Sequence, residues 1–423
     1  MILVIALLAD VAALSGTIRT MTEREAPSLA ELYRHLHRNP ELSGQEKATS
    51  ARIAEELTKA GYQVTPRIGG YGVVGLLRNG EGPTVLIRTD LDSLPVEEKT
   101  GLPYSSQNKG AMHACGHDLH MTAFVGAARV LSQLKGRWRG TLLMVGQPAE
   151  ETVGGAARML ADGLYQKFPR PDYCLALHVD AALEAGKVGY REGYMLANVD
   201  AVDITIRGLG GHGAYPHRTK DPVVLAAQVV MALQTIVSRE VRPIDPAVVT
   251  VGQIHGGTRR NIIPDQVDLQ LTVRTYSEAT RRQVLAAIER ITQGMVSAAG
   301  LPPERAPIVK VRDDERSPAT YNHPELTRRV VASIRDIVGA GQVVEREPEM
   351  GAEDFGLFGK VEPPIPAFMF RLGTIDSRRW AEAQKPGSPG LPSLHSSQFW
   401  PDPEPTISTG VQAMAAAALG LLQ

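Results

Sequence analysis

Residues 112–120 contain five side chains of types that can bind metal ions, packed into eight consecutive positions. They are His113, Cys115, His117, Asp118 and His120. A thiol, imidazoles and a carboxylate are costly to crowd together unless a cation offsets their repulsion and desolvation. The segment therefore predicts a metal site, and the rest of the chain must supply the remaining ligands and a reaction.

The size and composition of the chain exclude several classes of protein. Its 423 residues exceed what one hydrophobic core usually serves, so two domains are expected. Net charge is −1 and no long run of Lys or Arg occurs, which disfavours a nucleic-acid binder. Of the two cysteines, Cys174 lies in an apolar run and is read as a core residue, so no disulfide scaffold is implied.

The N-terminal residues 1–9 form an apolar run that could be the hydrophobic region of a signal peptide. No Lys or Arg precedes this run, and Asp10 interrupts it. It is too short to span a bilayer, and no membrane partner is expected. Export to the periplasm or beyond, a cytoplasmic protein that starts at Met21, and a packed N-terminal segment all remain open.

The hydrophobic pattern changes near Val199. Before it, β-branched runs at 84–88, 141–146 and 174–179 predict buried strands, each followed by polar residues. After it, residues 202–207 alternate apolar and polar side chains, as a half-exposed antiparallel strand does. We therefore predict an inserted α+β domain.

Helix signals complete this pattern. The predicted helices include 29–37, 43–60 capped by Ser43, 120–134, 222–239, 278–298, 324–338 and 405–422. The predicted organisation is an N-terminal segment at 1–28, a catalytic domain at 29–198 and 317–423, and an inserted domain at 199–316.

Candidate metal ligands stand at the ends of several predicted strands and in loops, positions that converge in an α/β fold. They are Cys115, His117, Glu151, His178 and His395. Sulfur, nitrogen and oxygen ligands together suit Zn²⁺, Mn²⁺, Co²⁺ or Ni²⁺ and do not suit Ca²⁺. Five protein ligands exceed one tetrahedral shell, which favours two ions about 3.5–4 Å apart. His113 and His120 could bind a metal ion directly, but they could as easily support other ligands or cap the helix.

The adjacent carboxylates Glu150 and Glu151 indicate the chemistry. On a surface helix such a pair usually belongs to a solvated face, but here it follows a buried strand and Pro148. Successive side chains point in different directions, so one can bind a metal while its neighbour faces the substrate. A carboxylate beside a metal-activated water is the general base that a metallohydrolase requires.

From about Leu29 to the C-terminus the chain resembles the M20 metallopeptidase family. The likeness is to its amidohydrolase branch, which includes hippurate hydrolases, N-acyl-amino-acid amidohydrolases and auxin-conjugate hydrolases. The motifs that carry it are RTDLDSLP (88–95), HACGHD (113–118), QPAEE (147–151), LHV (177–179), GGHGAYPH (210–217), NIIP (261–264), GAEDF (351–355) and LHS (394–396). Each motif alone is weak, but their order is specific.

The resemblance implies a role for each candidate residue of the metal site. Cys115, His117, Glu151, His178 and His395 would bind two metal ions. Glu150 would be the general base, and Asp92 would orient a metal ligand. Asp90 stands where other branches carry a His, so it is not expected to be a ligand. Asp118 matches a position that bridges the metals in other branches; Cys115 could take that role here, which leaves Asp118 open.

The resemblance also gives the inserted domain a role as lid and dimerisation domain. His212 resembles a histidine that one subunit lends to its partner, where it stabilises the oxyanion; the alternative is that His212 only belongs to a tight turn. Asn261, Arg274 and the backbone of Gly351 are candidates for holding the free carboxylate of the substrate. Arg274 could equally be an exposed strand residue.

These observations together predict an α/β protein with a mixed-sheet, zinc-peptidase-like catalytic domain and an inserted α+β lid and dimerisation domain. The predicted enzyme is a homodimer that holds two divalent metal ions (Zn, Mn, Co or Ni). It would cleave the amide bond of small N-acyl amino acids such as hippurate, or of short peptides. The alternatives are a carboxypeptidase or dipeptidase that uses the same site, and a non-catalytic peptide-binding module.

Overall fold

The computed structural model describes residues 11–422, and the first residues of the apolar run discussed above lie outside them. The helices are α1 (Ser15–Arg38), α2 (Lys47–Lys59), α3 (His117–Gln133), α4 (Gly155–Ala161), α5 (Leu164–Lys167), α6 (Pro222–Thr235), α7 (Glu278–Ala298), α8 (Pro324–Val338), α9 (Gly356–Gly359), α10 (Ser377–Ala383) and α11 (Pro403–Leu419). The strands are β1 (Gln63–Ile68), β2 (Gly72–Asn79), β3 (Thr84–Asp90), β4 (Gly140–Gln147), β5 (Tyr173–Glu184), β6 (Val188–Tyr190), β7 (Gly193–Leu196), β8 (Asn198–Arg207), β9 (Gly211–His212), β10 (Ala247–His255), β11 (Ile262–Ile263), β12 (Gln266–Thr275), β13 (Ile308–Ser317), β14 (Thr320–Asn322), β15 (Val343–Glu345) and β16 (Ala367–Ile375).

The chain divides into two compact units. Unit 1 comprises Met1–Met195, Tyr321–Glu347 and Asp354–Gln423, and unit 2 comprises Leu196–Thr320 and Pro348–Glu353. The sequence assigned 199–316 to the inserted domain, so unit 2 is slightly longer at both ends. Unit 2 also includes the short return Pro348–Glu353, which no change in hydrophobic pattern marks.

Unit 1 is built on an eight-stranded mixed sheet with the order β1-β2-β4-β3-β5-β16-β6-β15. The four central strands β4, β3, β5 and β16 run parallel to one another. Every residue of β3, β4 and β16 is buried, which explains their nearly continuous apolar sequences. Helix α3 packs on α11 and α1, and their apolar faces join the sheet in one core. The parallel strands bring their carboxyl ends, with the polar residues that follow, to one edge.

Unit 2 contains a four-stranded antiparallel sheet, β10-β12-β8-β13, covered by α6 and α7. The burial of β8 alternates from residue to residue, as the period-two pattern predicted. A separate two-stranded ribbon pairs β9 with β11. The predicted mixed α/β fold with an α+β insertion is confirmed.

Three details of the predicted fold were wrong. Helix α1 begins at Ser15 rather than Leu29 and buries Ile18 and Thr22, so residues 15–28 belong to the catalytic unit. Ser43 does not cap the next helix, because its hydroxyl donates to the Asp92 carboxylate at 2.6 Å. The predicted helix 222–239 is α-helical only to Thr235 and continues as the π-helical turn Ile236–Glu240.

In the part of the chain that the structure describes, one stretch, Pro222–Glu240, is long and apolar enough to cross a membrane by length and composition. Core helices of soluble proteins pass the same test, and 33% of this stretch is buried inside unit 2. The absence of a membrane partner stays a prediction.

Candidate metal centre

Cys115 and His117 stand on either side of a glycine that the fold requires. Gly116 immediately precedes α3 with a left-handed φ of 76°. A Cβ at this position would lie 2.6 Å from Val179 Cγ2, so a side chain would fit neither the backbone nor the space. The glycine lets the chain enter the helix sharply and places the thiol and the imidazole, both buried, at the same edge of the sheet.

Hydrogen bonds orient two of the candidate histidines. His117 Nδ1 donates to the Asp92 carbonyl oxygen at 2.9 Å, and His178 Nδ1 donates to the Val179 carbonyl oxygen at 2.8 Å. In each ring Nδ1 is the donor, so Nε2 is the nitrogen that can bind a metal ion once it carries no proton. The Nε2 atom of His178 lies 3.5 Å from Cys115 Sγ.

The two adjacent glutamates lie in a turn directly after β4. Glu151 Oε1 is 3.7 Å from His117 Nε2, and Glu150 Oε2 is 4.0 Å from the same nitrogen. Ala149 before them has a left-handed φ of 52°, a conformation that costs an alanine roughly 1 kcal/mol. A strained backbone thus turns both carboxylates toward the histidine.

The C-terminal ligand candidate, His395, reaches the same place through its backbone. Its N–H donates to the Ala114 carbonyl oxygen at 2.9 Å, which ties its loop to the segment that carries Cys115. His395 Nε2 lies 3.7 Å from Glu151 Oε2. Unlike the other candidates, the His395 side chain is 55% exposed.

The structure thus brings together all five predicted ligands. Their donor atoms form two groups, each within 4.8 Å: Cys115, His117 and His178, and Cys115, Glu151 and His395. Cys115 belongs to both groups. A sulfur shared by two sets of donors is the arrangement expected if a thiolate stands between two ions.

The donor set fits divalent metal ions. Among the described residues, His117 Nε2 and Glu151 Oε1 are buried without a hydrogen-bond partner, which is unfavourable unless a ligand completes them. Burial raises the pKa of Glu151 to about 7 and raises the pKa of the Cys115 thiol well above its usual range. Without metal the site therefore holds protons that a cation would replace.

The remaining side chains of the metal-loop motif are occupied elsewhere. His120 Nδ1 donates to Asp90 Oδ1 at 2.8 Å, and its Nε2 accepts the Val179 N–H at 2.9 Å, so neither nitrogen is left for a metal. Asp118 accepts from His37 at 2.6 Å and from the Leu119 N–H. The hydrogen bonds of His120 and Asp118 support the loop, and whether Asp118 also bridges the metals stays open.

His113 is buried, and neither of its ring nitrogens has a hydrogen-bond partner among the described residues. Burial lowers the pKa of His113 to about 4, so the ring is neutral. It does not join the groups of potential ligands among the described residues.

Asp92 acts through more than its carboxylate. Its backbone carbonyl accepts from His117, while its carboxylate Oδ2 accepts from the Ser43 hydroxyl and, at 3.0 Å, from the Glu151 N–H. Asp92 therefore contacts two predicted ligands, His117 through its backbone and Glu151 through its side chain, and its role in orienting a ligand stays a prediction.

A buried network that includes Arg88 was missed at the sequence level, although Arg88 lies in a quoted motif. Arg88 is 1% exposed and donates to Asp90 Oδ2 and Gln147 Oε1, both at 2.8 Å. Gln147 in turn donates to Asp354 at 2.6 Å. The network joins the ends of β3 and β4 to the loop of the GAEDF motif. An arginine inside an otherwise apolar strand was the signal that could have revealed it.

The predicted substrate residues and His212 all lie in unit 2. His212 and Asn261 are exposed and neighbour one another where β9 pairs with β11, and the Gly213 N–H donates to the Asn261 carbonyl at 2.8 Å. Arg274 lies on β12, where its Nε donates to Thr272 and burial lowers its pKa. The Gly351 carbonyl accepts from the Ala197 N–H at 2.9 Å.

The chain belongs to the M20/M25/M40 peptidase family, which it matches over residues 86–387. It is 37% identical to the N-acetyl-L-cysteine deacetylase of Bacillus subtilis, over 83% of this chain and 82% of the relative. It is 36% identical to thermostable carboxypeptidase 2 of Saccharolobus solfataricus, over 92% of this chain and 94% of the relative.

A solved structure agrees with these relatives. The Bacillus subtilis YXEP protein, a dinuclear metal binding peptidase from the M20 family, has a TM-score of 0.77 at 28% identity, covering 95% of this chain and 99% of that one. The predicted membership of the amidohydrolase branch is confirmed. The protein is a hydrolase of amide bonds that depends on divalent metal ions, and the alternative of a non-catalytic binding module was wrong.

Proposed function

We propose that the protein cleaves the amide bond of N-acyl amino acids, releasing a carboxylic acid and an amino acid. The observation that carries this proposal is the position of Glu150: its carboxylate is 4.0 Å from His117 Nε2, beside a second carboxylate that belongs to the proposed ligands. The N-acetyl-L-cysteine deacetylase among the relatives supports this substrate class.

In this proposal each residue acts at a defined atom. Cys115, His117, Glu151, His178 and His395 would hold two divalent ions, and their mixed donors suit Zn²⁺, Mn²⁺, Co²⁺ or Ni²⁺. When bound, the ions would supply Lewis acidity toward the amide carbonyl and toward water. Glu150 takes the proton of the attacking water and returns it to the leaving amine nitrogen. Asp92 keeps His117 and the Glu151 backbone in position.

Residues of unit 2 complete the proposal. His212 would donate a hydrogen bond to the developing oxyanion, offered by a second copy of the chain. Asn261, Arg274 and the backbone of Gly351 would hold the free carboxylate, Arg274 through its two parallel donors. A carboxypeptidase or dipeptidase is the second candidate, because the carboxypeptidase relative matches 92% of this chain.

A product-release screen separates the candidates. The purified protein, loaded in turn with Zn²⁺, Mn²⁺, Co²⁺ and Ni²⁺, is given N-acetyl amino acids, N-benzoyl amino acids and dipeptides. We expect turnover of the N-acyl compounds. Cleavage of dipeptides alone would favour the peptidase, and no hydrolysis across the panel would overturn both.

The variant Glu150→Gln supplies the matched control for this screen. It keeps the size and polarity of the side chain but removes the base, so turnover should fall about 1000-fold. Metal content, measured by elemental analysis, should match that of the unaltered protein. Equal turnover would show that another group takes the proton.

We also propose that the protein is a homodimer formed through unit 2. Met231 is 71% exposed and Val224 is 54% exposed, and the two residues lie two turns apart on the same face of α6. Strand β10 lies at the sheet edge with Ile254 54% exposed. Exposed apolar helix faces and open strand edges are typical of interfaces. In sedimentation velocity, Met231→Glu should yield monomer, whereas Met231→Leu should remain a dimer.

A further inference from the structure

The turn that carries Glu150 and Glu151 is held from outside by two carboxylates. Within the turn, the Val153 N–H donates to the Glu150 carbonyl at 2.7 Å. The Glu151 N–H donates to Asp92 at 3.0 Å, and the Ala149 N–H donates to Glu46 Oε1 at 2.8 Å. The backbone on both sides of Glu150 is therefore fixed by acidic side chains from other parts of the chain.

The Glu46 side chain does not cap its own helix. It precedes α2, yet its side chain makes no capping hydrogen bond there. The N–H groups of Ala48 and Thr49 donate instead to the Glu41 carboxylate, at 3.1 and 2.8 Å. The fully buried Glu46 carboxyl group points to the Gly44 N–H at 2.7 Å and to the Ala149 N–H.

The residue whose N–H donates to Glu46 is the strained residue of the turn. Ala149 holds a left-handed φ of 52°, which an alanine leaves readily when nothing restrains it. Without the acceptor at Glu46, the buried Ala149 N–H would lack its partner, and the turn would relax toward an ordinary φ. Such a change would displace Glu150 and Glu151 together.

We propose that Glu46 is a positioning residue for the hydrolytic reaction: by accepting the Ala149 N–H it fixes the turn that aims Glu150 and Glu151. This inference rests on the proposed role of Glu150. Among the described residues, the hydrogen bonds of the Glu46 side chain go to the backbone of Gly44 and Ala149 and to none of the proposed metal ligands, so it would act through the backbone.

The test compares Glu46→Ala with Glu46→Gln and with the control Glu41→Ala. Glu46→Ala removes the acceptor and should lower kcat about 100-fold, the loss typical of a catalytic group displaced by about 1 Å, with KM within threefold. Glu46→Gln retains an oxygen at the same place and should recover kcat to within threefold of the unaltered enzyme. Glu41→Ala removes the helix cap and should lower Tm while kcat stays within twofold.

A second readout does not depend on turnover. With Co²⁺ bound, the visible absorption spectrum reports the ligands, and Glu46→Ala should shift it because Glu151 moves. Glu41→Ala should leave the spectrum unchanged. If the unaltered enzyme hydrolyses nothing in the panel, the proposed function fails, and the spectrum still decides whether Glu46 positions the turn.

The proposal is overturned if Glu46→Ala keeps kcat within threefold and its Co²⁺ spectrum unchanged. It is also overturned if Glu41→Ala loses as much kcat as Glu46→Ala, which would show a general effect of destabilising this segment, or if Glu46→Gln is as slow as Glu46→Ala. Should Glu46→Ala fail to fold, Glu46→Asp, which withdraws the acceptor by one methylene, takes its place with the same limits.

Discussion

The metal loop of unit 1 and the His212 ribbon of unit 2 differ in how far the surrounding protein fixes their histidines. His117 is 1% exposed, with Nδ1 bonded to a backbone carbonyl and Nε2 left without a partner. His212 is exposed, and its Nδ1 accepts the nearby Ala214 N–H at 3.1 Å. A buried nitrogen that has no partner and lies among other donor atoms, as His117 Nε2 does, indicates a missing ligand, whereas an exposed nitrogen is satisfied by water. Geometry thus supports the role of His117, while resemblance alone supports that of His212.

The largest effect is expected from removing the sulfur shared by the two donor groups. Cys115→Ala deprives both groups of a ligand, so the protein should bind fewer ions. Losing an ion that supplies several kcal/mol to the transition state should lower kcat/KM about 1000-fold. Elemental analysis and turnover would be measured on the same sample. Cys174→Ala is the control, because the other cysteine is buried in β5 outside the site. Full metal content in Cys115→Ala would remove the sulfur from the proposed ligands.

The metal loop could be predicted from sequence because its ligands follow buried strands or stand directly before a helix. Apolar runs locate β4 and β5, and parallel strands deliver their ends to one edge. The hydrophobic pattern of the sequence could not show contacts between residues that are distant along the chain. The bond from Glu46 to Ala149 and that from His37 to Asp118 join residues far apart in sequence, and neither leaves a periodic signal. Ser43 has the sequence of a helix cap, but the nearby Asp92 carboxylate takes its hydroxyl.

A smaller and different effect is expected at the ribbon of unit 2. If His212 stabilises the oxyanion, His212→Ala should lower kcat about 100-fold, the cost of one oxyanion donor, and leave the metal content unchanged. His217→Ala in the same loop region is the matched control and should behave like the unaltered enzyme. Should His212→Ala retain full kcat, the ribbon would be only a tight turn. The metal loop would then take part in catalysis and the ribbon would not, in addition to their difference in burial.

The smallest effect concerns protons held by the buried site and is expected in metal affinity. Glu151 binds metal as a carboxylate, but burial raises its pKa to about 7 in the metal-free protein. Above pH 7 it is already ionised; below pH 7 the ion must displace its proton, so affinity falls as pH falls. The slope of log Ka against pH should therefore increase by one below about pH 7, a tenfold loss per further unit. Burial raises the pKa of Cys115 well above this range, so its proton is released at every pH tested and does not produce the change in slope.

Calorimetric titrations at pH 6 and pH 8, in buffers of different ionisation enthalpy, count the protons that metal binding releases. An equal number of protons released at both pH values would mean that Glu151 is ionised throughout this range. Burial in the metal loop would then not raise the pKa of Glu151, and the loop would differ from the exposed ribbon less than the structure indicates.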